Sequence, residues 1–84
     1  MKQYERIPLP VEAAQVTAKN AVEVARWCEA DGLEWDDDES PTITLLTGSG
    51  WMYAEAGDWI VHEQDDYRAI TDDWFWKYYK EIER

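Results

Sequence analysis

Residues 42–55 read Thr-Ile-Thr-Leu-Leu-Thr-Gly-Ser-Gly-Trp-Met-Tyr-Ala-Glu, and this stretch decides the fold. Threonines alternate with Ile43 and Leu45, which puts the two aliphatic side chains on one face of a strand over Thr42–Thr47. Gly48-Ser49-Gly50 is a short, permissive connection, so Trp51–Glu55 returns as the partner strand of a hairpin. Ala56-Gly57-Asp58 is a second turn, in which glycine supplies a positive φ and aspartate bonds back to the backbone. Trp59–Glu63 and Tyr67–Ile70 then form two more strands around Gln64-Asp65-Asp66. The expectation is a four-strand meander, with Trp51, Tyr53, Trp59, Tyr67 and Ile70 covering its inner face.

Upstream, Pro41 closes an acidic loop over 34–40, Glu-Trp-Asp-Asp-Asp-Glu-Ser. Before it, Ala21, Val24, Ala25 and Cys28 recur at three- and four-residue spacing with Trp27 beside them, predicting a helix over 21–31. Asn20 and Glu23 make a capping-box arrangement, and Gly32 is the left-handed residue that ends the helix. A strand is expected over 11–17, with Val11, Ala13 and Gln15 on one face and Glu12, Ala14 and Val16 on the other. Pro8 and Pro10 cannot donate to a ladder, so the first residues should be an edge or irregular arm. Downstream, Thr71 caps a last helix whose first turn holds Asp72 and Asp73. Phe75, Tyr79 and Ile82 form its buried stripe, Trp74 and Tyr78 flank it, and Trp76 lies on the far side. The fold class is therefore α+β: one twisted antiparallel sheet of about five strands, a helix after the first strand and a C-terminal helix, in a single domain spanning 1–84.

Eighty-four residues leave room for one domain, and a chain this short buries only roughly 60% of its unfolded surface. Six tryptophans compensate, since each buried ring removes on the order of 150–250 Å² from water. Nineteen acidic residues against eight basic give a net charge of −11. That field repels phosphate backbones and anionic lipid, so direct nucleic-acid and membrane binding are not expected. It suits a basic protein partner or imitation of nucleic acid, although its simplest role is solubility. A lone cysteine, Cys28, excludes an internal disulfide, and its place on the apolar helix stripe makes it a small hydrophobe. No apolar run approaches the ~20 residues of a membrane span, and Glu5, Pro8 and Pro10 interrupt any secretory leader, so the cytoplasm is the expected location.

The order of several short motifs resembles a group of small phage and prophage proteins of unassigned function. The residues that carry the resemblance are Pro10-Val11-Glu12-Ala13-Ala14-Gln15, Ala56-Gly57-Asp58-Trp59-Ile60-Val61 and Asp73-Trp74-Phe75-Trp76-Lys77-Tyr78-Tyr79. This chain departs from the pattern in its less basic start, in alanine rather than proline before Gly57, and in the added rings of Trp74 and Trp76. The resemblance implies a phage origin and a compact fold, and carries over no catalytic residue.

Few residues invite chemistry. Glu34, Asp36, Asp37, Asp38 and Glu39 lack the glycine-centred twelve-residue spacing of a calcium loop, so no metal is expected. His62 beside Glu63 has no nucleophile or oxyanion motif with it, and Gly48-Ser49-Gly50 lacks the lysine of a phosphate loop; no enzyme activity and no cofactor are expected. The aromatic set is more informative. Trp51, Trp59, Phe75 and Tyr79 are expected in the core, leaving Trp76 exposed with Trp35 and one of Trp74 or Tyr78 as neighbours. These rings, with Asp36, Asp37 and Asp38, are the expected partner-binding residues of a non-enzymatic phage accessory protein that binds itself, as a homodimer, or a host factor. Two alternatives stand beside it. An acidic DNA mimic would need the acids of 34–39, 65–66 and 72–73 on one face, and a small-ligand binder would need a concave aromatic pocket.

Overall fold

The computed structural model describes residues 2–6, 9–37, 39–63 and 65–81, with side chains described over 11–79 except 38 and 64. The element order is β1 (Lys2–Arg6), β2 (Leu9–Gln15), α1 (Ala21–Trp27), β3 (Gly32–Asp36), β4 (Ser40–Thr47), β5 (Gly50–Glu55), β6 (Trp59–Glu63), β7 (Asp66–Ile70), α2 (Asp72–Tyr78) and β8 (Tyr79–Glu81). The fold is α+β and every strand pairing is antiparallel. The strands form two sheets rather than one: β7-β6-β2-β1-β8 and β3-β4-β5.

All four strands of the expected meander exist, and the split falls in its middle. The β4–β5 hairpin forms with Thr47 opposite Gly50, and Gly50 takes a φ of 109°. Gly57, at φ 97°, then turns the chain away from β5 altogether. Its N–H donates to Val16 O, and the N–H of Val16 donates to Asp58 O, both at 2.8 Å. That double clamp delivers Trp59 opposite Gln15, so β6 pairs with β2 instead of β5.

Four other expectations are corrected. The first residues are not an edge or irregular arm, because β1 lies between β2 and β8. Pro10 is tolerated since it faces Glu5 of β1 on one side only, and pairing with β6 begins at Glu12. The acidic stretch 34–40 is not a loop; β3 pairs with β4 from Gly32 opposite Thr44 to Asp36 opposite Ser40, and Pro41 sits buried within β4. An edge strand with one solvated face accommodates such charge. Finally, α1 stops at Trp27. Glu29, at φ 53°, is the left-handed residue; its N–H reaches Arg26 O and that of Ala30 reaches Ala25 O, the paired bonds of a Schellman motif. Gly32 is thereby released to start β3. Asn20 precedes α1 without capping it, because its side chain bonds Thr17 N and Gln15 O. Thr71 caps α2 as expected, its Oγ1 accepting from the Trp74 N–H.

The larger sheet is buried on both faces. Ala14, Val16 and Ile60 meet Val24 of α1, Cys28 just after it, and Ile43, Leu45 and Ala54 of the smaller sheet. On the opposite face, Val11, Ala13, Trp59 and Val61 meet Phe75 and Tyr79. The alternation read along β2 is the one observed. Trp59, Phe75 and Tyr79 are core, as expected; Ile82 lies outside the described residues. Trp51 and Tyr53 are not, at 58% and 62% exposed. Register explains it: Met52 faces Leu45 and Ala54 faces Ile43, so the smaller residues of β5 point inward and the rings outward.

Cys28 is buried, and burial pushes its thiol from 9.0 up to about 11, with backbone N–H contacts opposing the shift and the Asp31 and Glu29 charges adding to it. Below pH 9 the thiol is protonated in both folded and unfolded chains. Above it the unfolded chain ionises first, so stability falls between about pH 9 and 11. Tyr67, also raised, first by burial and then by Glu29, adds to the alkaline loss. Cys28→Ala should therefore flatten, without abolishing, the alkaline limb of a urea-midpoint profile. Rapid reaction of the native thiol with Ellman's reagent at pH 8 would refute this placement.

Candidate functional site

The turn at Thr71 sends α2 across the face of the larger sheet that points away from the smaller one. Phe75 fixes it there, stacked on Trp59 at 3.7 Å between ring centroids and on Tyr79 at 5.1 Å. With those rings committed inward, helical spacing places Trp74 and Tyr78 together at the solvent side, stacked at 5.2 Å and 17°. Lys77 Nζ lies 5.2 Å from the Trp74 ring centre and 5.7 Å from that of Tyr78, within cation–π range. Beside this pair opens a hollow of about 310 Å³, lined by Arg68, Ile70, Trp74, Tyr78 and Tyr79.

Trp76 is half exposed, at 52%, yet it is tied down. Its indole N–H donates to Asp72 Oδ1 at 3.1 Å, one helical turn back, and its ring sits edge-on to Trp59. The same oxygen accepts from Trp59 Nε1 at 2.8 Å and from Gln15 Nε2 at 3.3 Å. Asp72 thus links β2, β6 and α2, and Trp76 serves the fold as well as the surface.

The expected binding residues are not one surface. Trp74 and Tyr78 stand together on α2. Trp35 is 42% exposed but lies in β3 opposite Pro41, in the sheet on the other side of the larger one. Asp36 and Asp37 are exposed near it at the β3–β4 turn, and Asp38 lies outside the described residues. The acids needed for nucleic-acid mimicry do not line one face either. Those of β3 sit at the start of β4, whereas Asp66 accepts from Gly48 N past its other end, about 25 Å away along the strand. Asp72 and Asp73 belong to α2.

His62 and Glu63 are on opposite faces of β6. The histidine stacks on Tyr67 at 4.4 Å and meets Trp27 edge-on, while Glu63 accepts from the Tyr79 hydroxyl. Among the described residues, no group of three His, Cys, Asp or Glu side chains is placed to hold a metal ion. Among the described residues, no helix is long and apolar enough to cross a membrane.

A second exposed surface escaped the sequence reading. On the outer face of the smaller sheet Leu46 stands opposite Trp51, with Tyr53 next to it on β5. Leu46 is 57% exposed. Charge marks the same region: residues 27–67 contain twelve acidic and no basic residues, while the rest of the chain holds seven acidic and eight basic. That cation-free stretch was visible in the sequence; which face of β5 points inward was not. No family model, curated protein or solved structure matches the chain.

Proposed function

We propose that this chain is a non-enzymatic accessory protein that acts by binding another protein through its aromatic and acidic surface. A phage or prophage setting follows from the resemblance alone, and it makes the expected cytoplasm that of a host cell. The observation that supports the binding reading most is the Trp74–Tyr78 stack. It stands in solvent beside a 310 Å³ hollow while Phe75 and Tyr79 already fill the core beneath. Exposed aromatic pairs next to a concavity are what a partner's side chain uses as an anchor.

Photo-cross-linking tests it. A benzophenone amino acid at Tyr78, in cells that naturally carry the gene, should give an adduct of discrete mass that is absent from the same probe at Lys19 and is lost with Trp74→Ser. An adduct of twice the chain mass would identify the partner as a second copy. Only the diffuse background seen from Lys19 would reject the reading. The same hollow favours a second reading, a small apolar ligand. A compound that saturably shifts the Ile70 and Tyr79 amide resonances, with no protein adduct from Tyr78, would replace the first reading by the second.

A further inference from the structure

We propose that the outer face of the three-stranded sheet docks a lysine- or arginine-rich segment of a partner protein that also carries apolar side chains. This rests on the binding reading above and gives it a second surface and a partner chemistry.

The face has two ends, set by register. At one end Leu46 lies opposite Trp51, and Tyr53 lies opposite Thr44. These three large side chains are each more than half exposed, in a small domain whose core residues Ile43, Ala54 and Ile60 are fully enclosed. At the other end the row Glu34, Thr42, Glu55 crosses the sheet, and Asp36 follows opposite Ser40. Alternation puts all of these on the same side as Trp51 and Tyr53. No lysine or arginine occurs anywhere on β3, β4, β5 or the turns that join them.

An apolar patch continuous with uncompensated carboxylates selects its occupant. A neutral apolar partner would cover the rings but leave the carboxylates partly desolvated without a counter-charge, which is costly. A second copy meeting this face with its own would either set Glu34, Asp36 and Glu55 against their equivalents, where like charges are strongly unfavourable, or cover them with the other copy's Trp51 and Tyr53, which bring no counter-charge. Cations interspersed with apolar side chains satisfy both ends at once. The carboxylates then steer the encounter and the rings hold the complex.

The test uses an alternating Lys–Leu decapeptide, with an alternating Glu–Leu decapeptide and deca-lysine as controls, read by amide chemical shifts of the intact protein. The Lys–Leu peptide should move the resonances of 42–46 and 51–55. Its affinity should weaken as salt shortens the screening length from about 10 Å toward 3 Å. Trp51→Ser with Tyr53→Ser should cost about tenfold or more in affinity. Trp74→Ser, on the other side of the larger sheet, should change nothing. Because both substituted side chains project into solvent, the dispersed spectrum of the double variant should survive.

Four results overturn the proposal: no shifts; equal binding of the Glu–Leu peptide; deca-lysine binding as tightly with shifts confined to 34–39; or the 42–55 resonances moving with protein concentration in the absence of peptide. The proposal can fail alone. If benzophenone at Tyr78 captures a partner while the peptide leaves 42–55 unmoved, the binding reading stands and the cationic docking face does not.

Discussion

Phe75→Ala should cost about 3–5 kcal/mol, the range for deleting a fully buried aromatic ring. Phe75 has no exposed surface, and it is the middle ring between Trp59 and Tyr79. Its loss removes burial and also the two stacking contacts, each worth about 0.5–1.5 kcal/mol beyond area. Domains in general hold only about 5–15 kcal/mol, and small ones sit low in that range. The variant should therefore populate unfolded chain at 25 °C, with the urea midpoint falling by half or more. A loss under about 1 kcal/mol would mean that Trp59 and Tyr79 close over the gap, and that the stack does not hold α2 to the sheet.

Asp72→Ala should cost about 1–3 kcal/mol. The carboxylate is exposed, so the loss does not come from burying a charge. It comes from removing the oxygen that accepts from the indole N–H of Trp59, a side chain only 5% exposed, and from that of Trp76. Removing a negative charge from the first turn of α2 adds about 0.3–1 kcal/mol. Asp73→Ala separates the two contributions, because that residue shares the helix end without the three-way contact at Asp72. Asp72→Asn keeps an acceptor oxygen and should fall between them. Equal urea midpoints for Asp72→Ala and Asp73→Ala would show that the indole bonds add nothing measurable.

Turn and hairpin chemistry was legible in the sequence, the ends of α1 were not, and neither was long-range pairing. The β4–β5 hairpin, the Gly57-Asp58 turn and the Thr71 cap were each readable because a few adjacent residues dictate them. The partner of β6 was not, because Ala56-Gly57-Asp58 specifies a change of direction and says nothing of where Val16 will be. β3 was missed for a related reason: its charge marks a solvent-facing surface, which an edge strand supplies as readily as a loop. Alternation correctly grouped Trp51 with Tyr53. It does not say which group points inward, and ring size misleads where the space between the sheets is already filled by Val24, Ile43, Leu45 and Ile60. Trp76 shows the same limit at the candidate site. Its exposure was read correctly, but it is not on the far side of α2: it lies edge-on to Trp59, and its bond to Asp72 needed the four-residue spacing to be followed back along the helix.

The two sheets differ in how much of the chain they require. The smaller one is assembled from consecutive residues, Gly32 to Glu55, by two tight reversals. The larger one sets Tyr4 opposite Glu81, so its last ladder closes a loop that contains nearly everything else. Loop-closure entropy makes such non-local pairing the slow part of folding. During synthesis it cannot occur at all until residues 79–81 have left the ribosome. A nascent chain can therefore carry Leu46, Trp51 and Tyr53 on a finished hairpin while the sheet that will bury its other side is still incomplete.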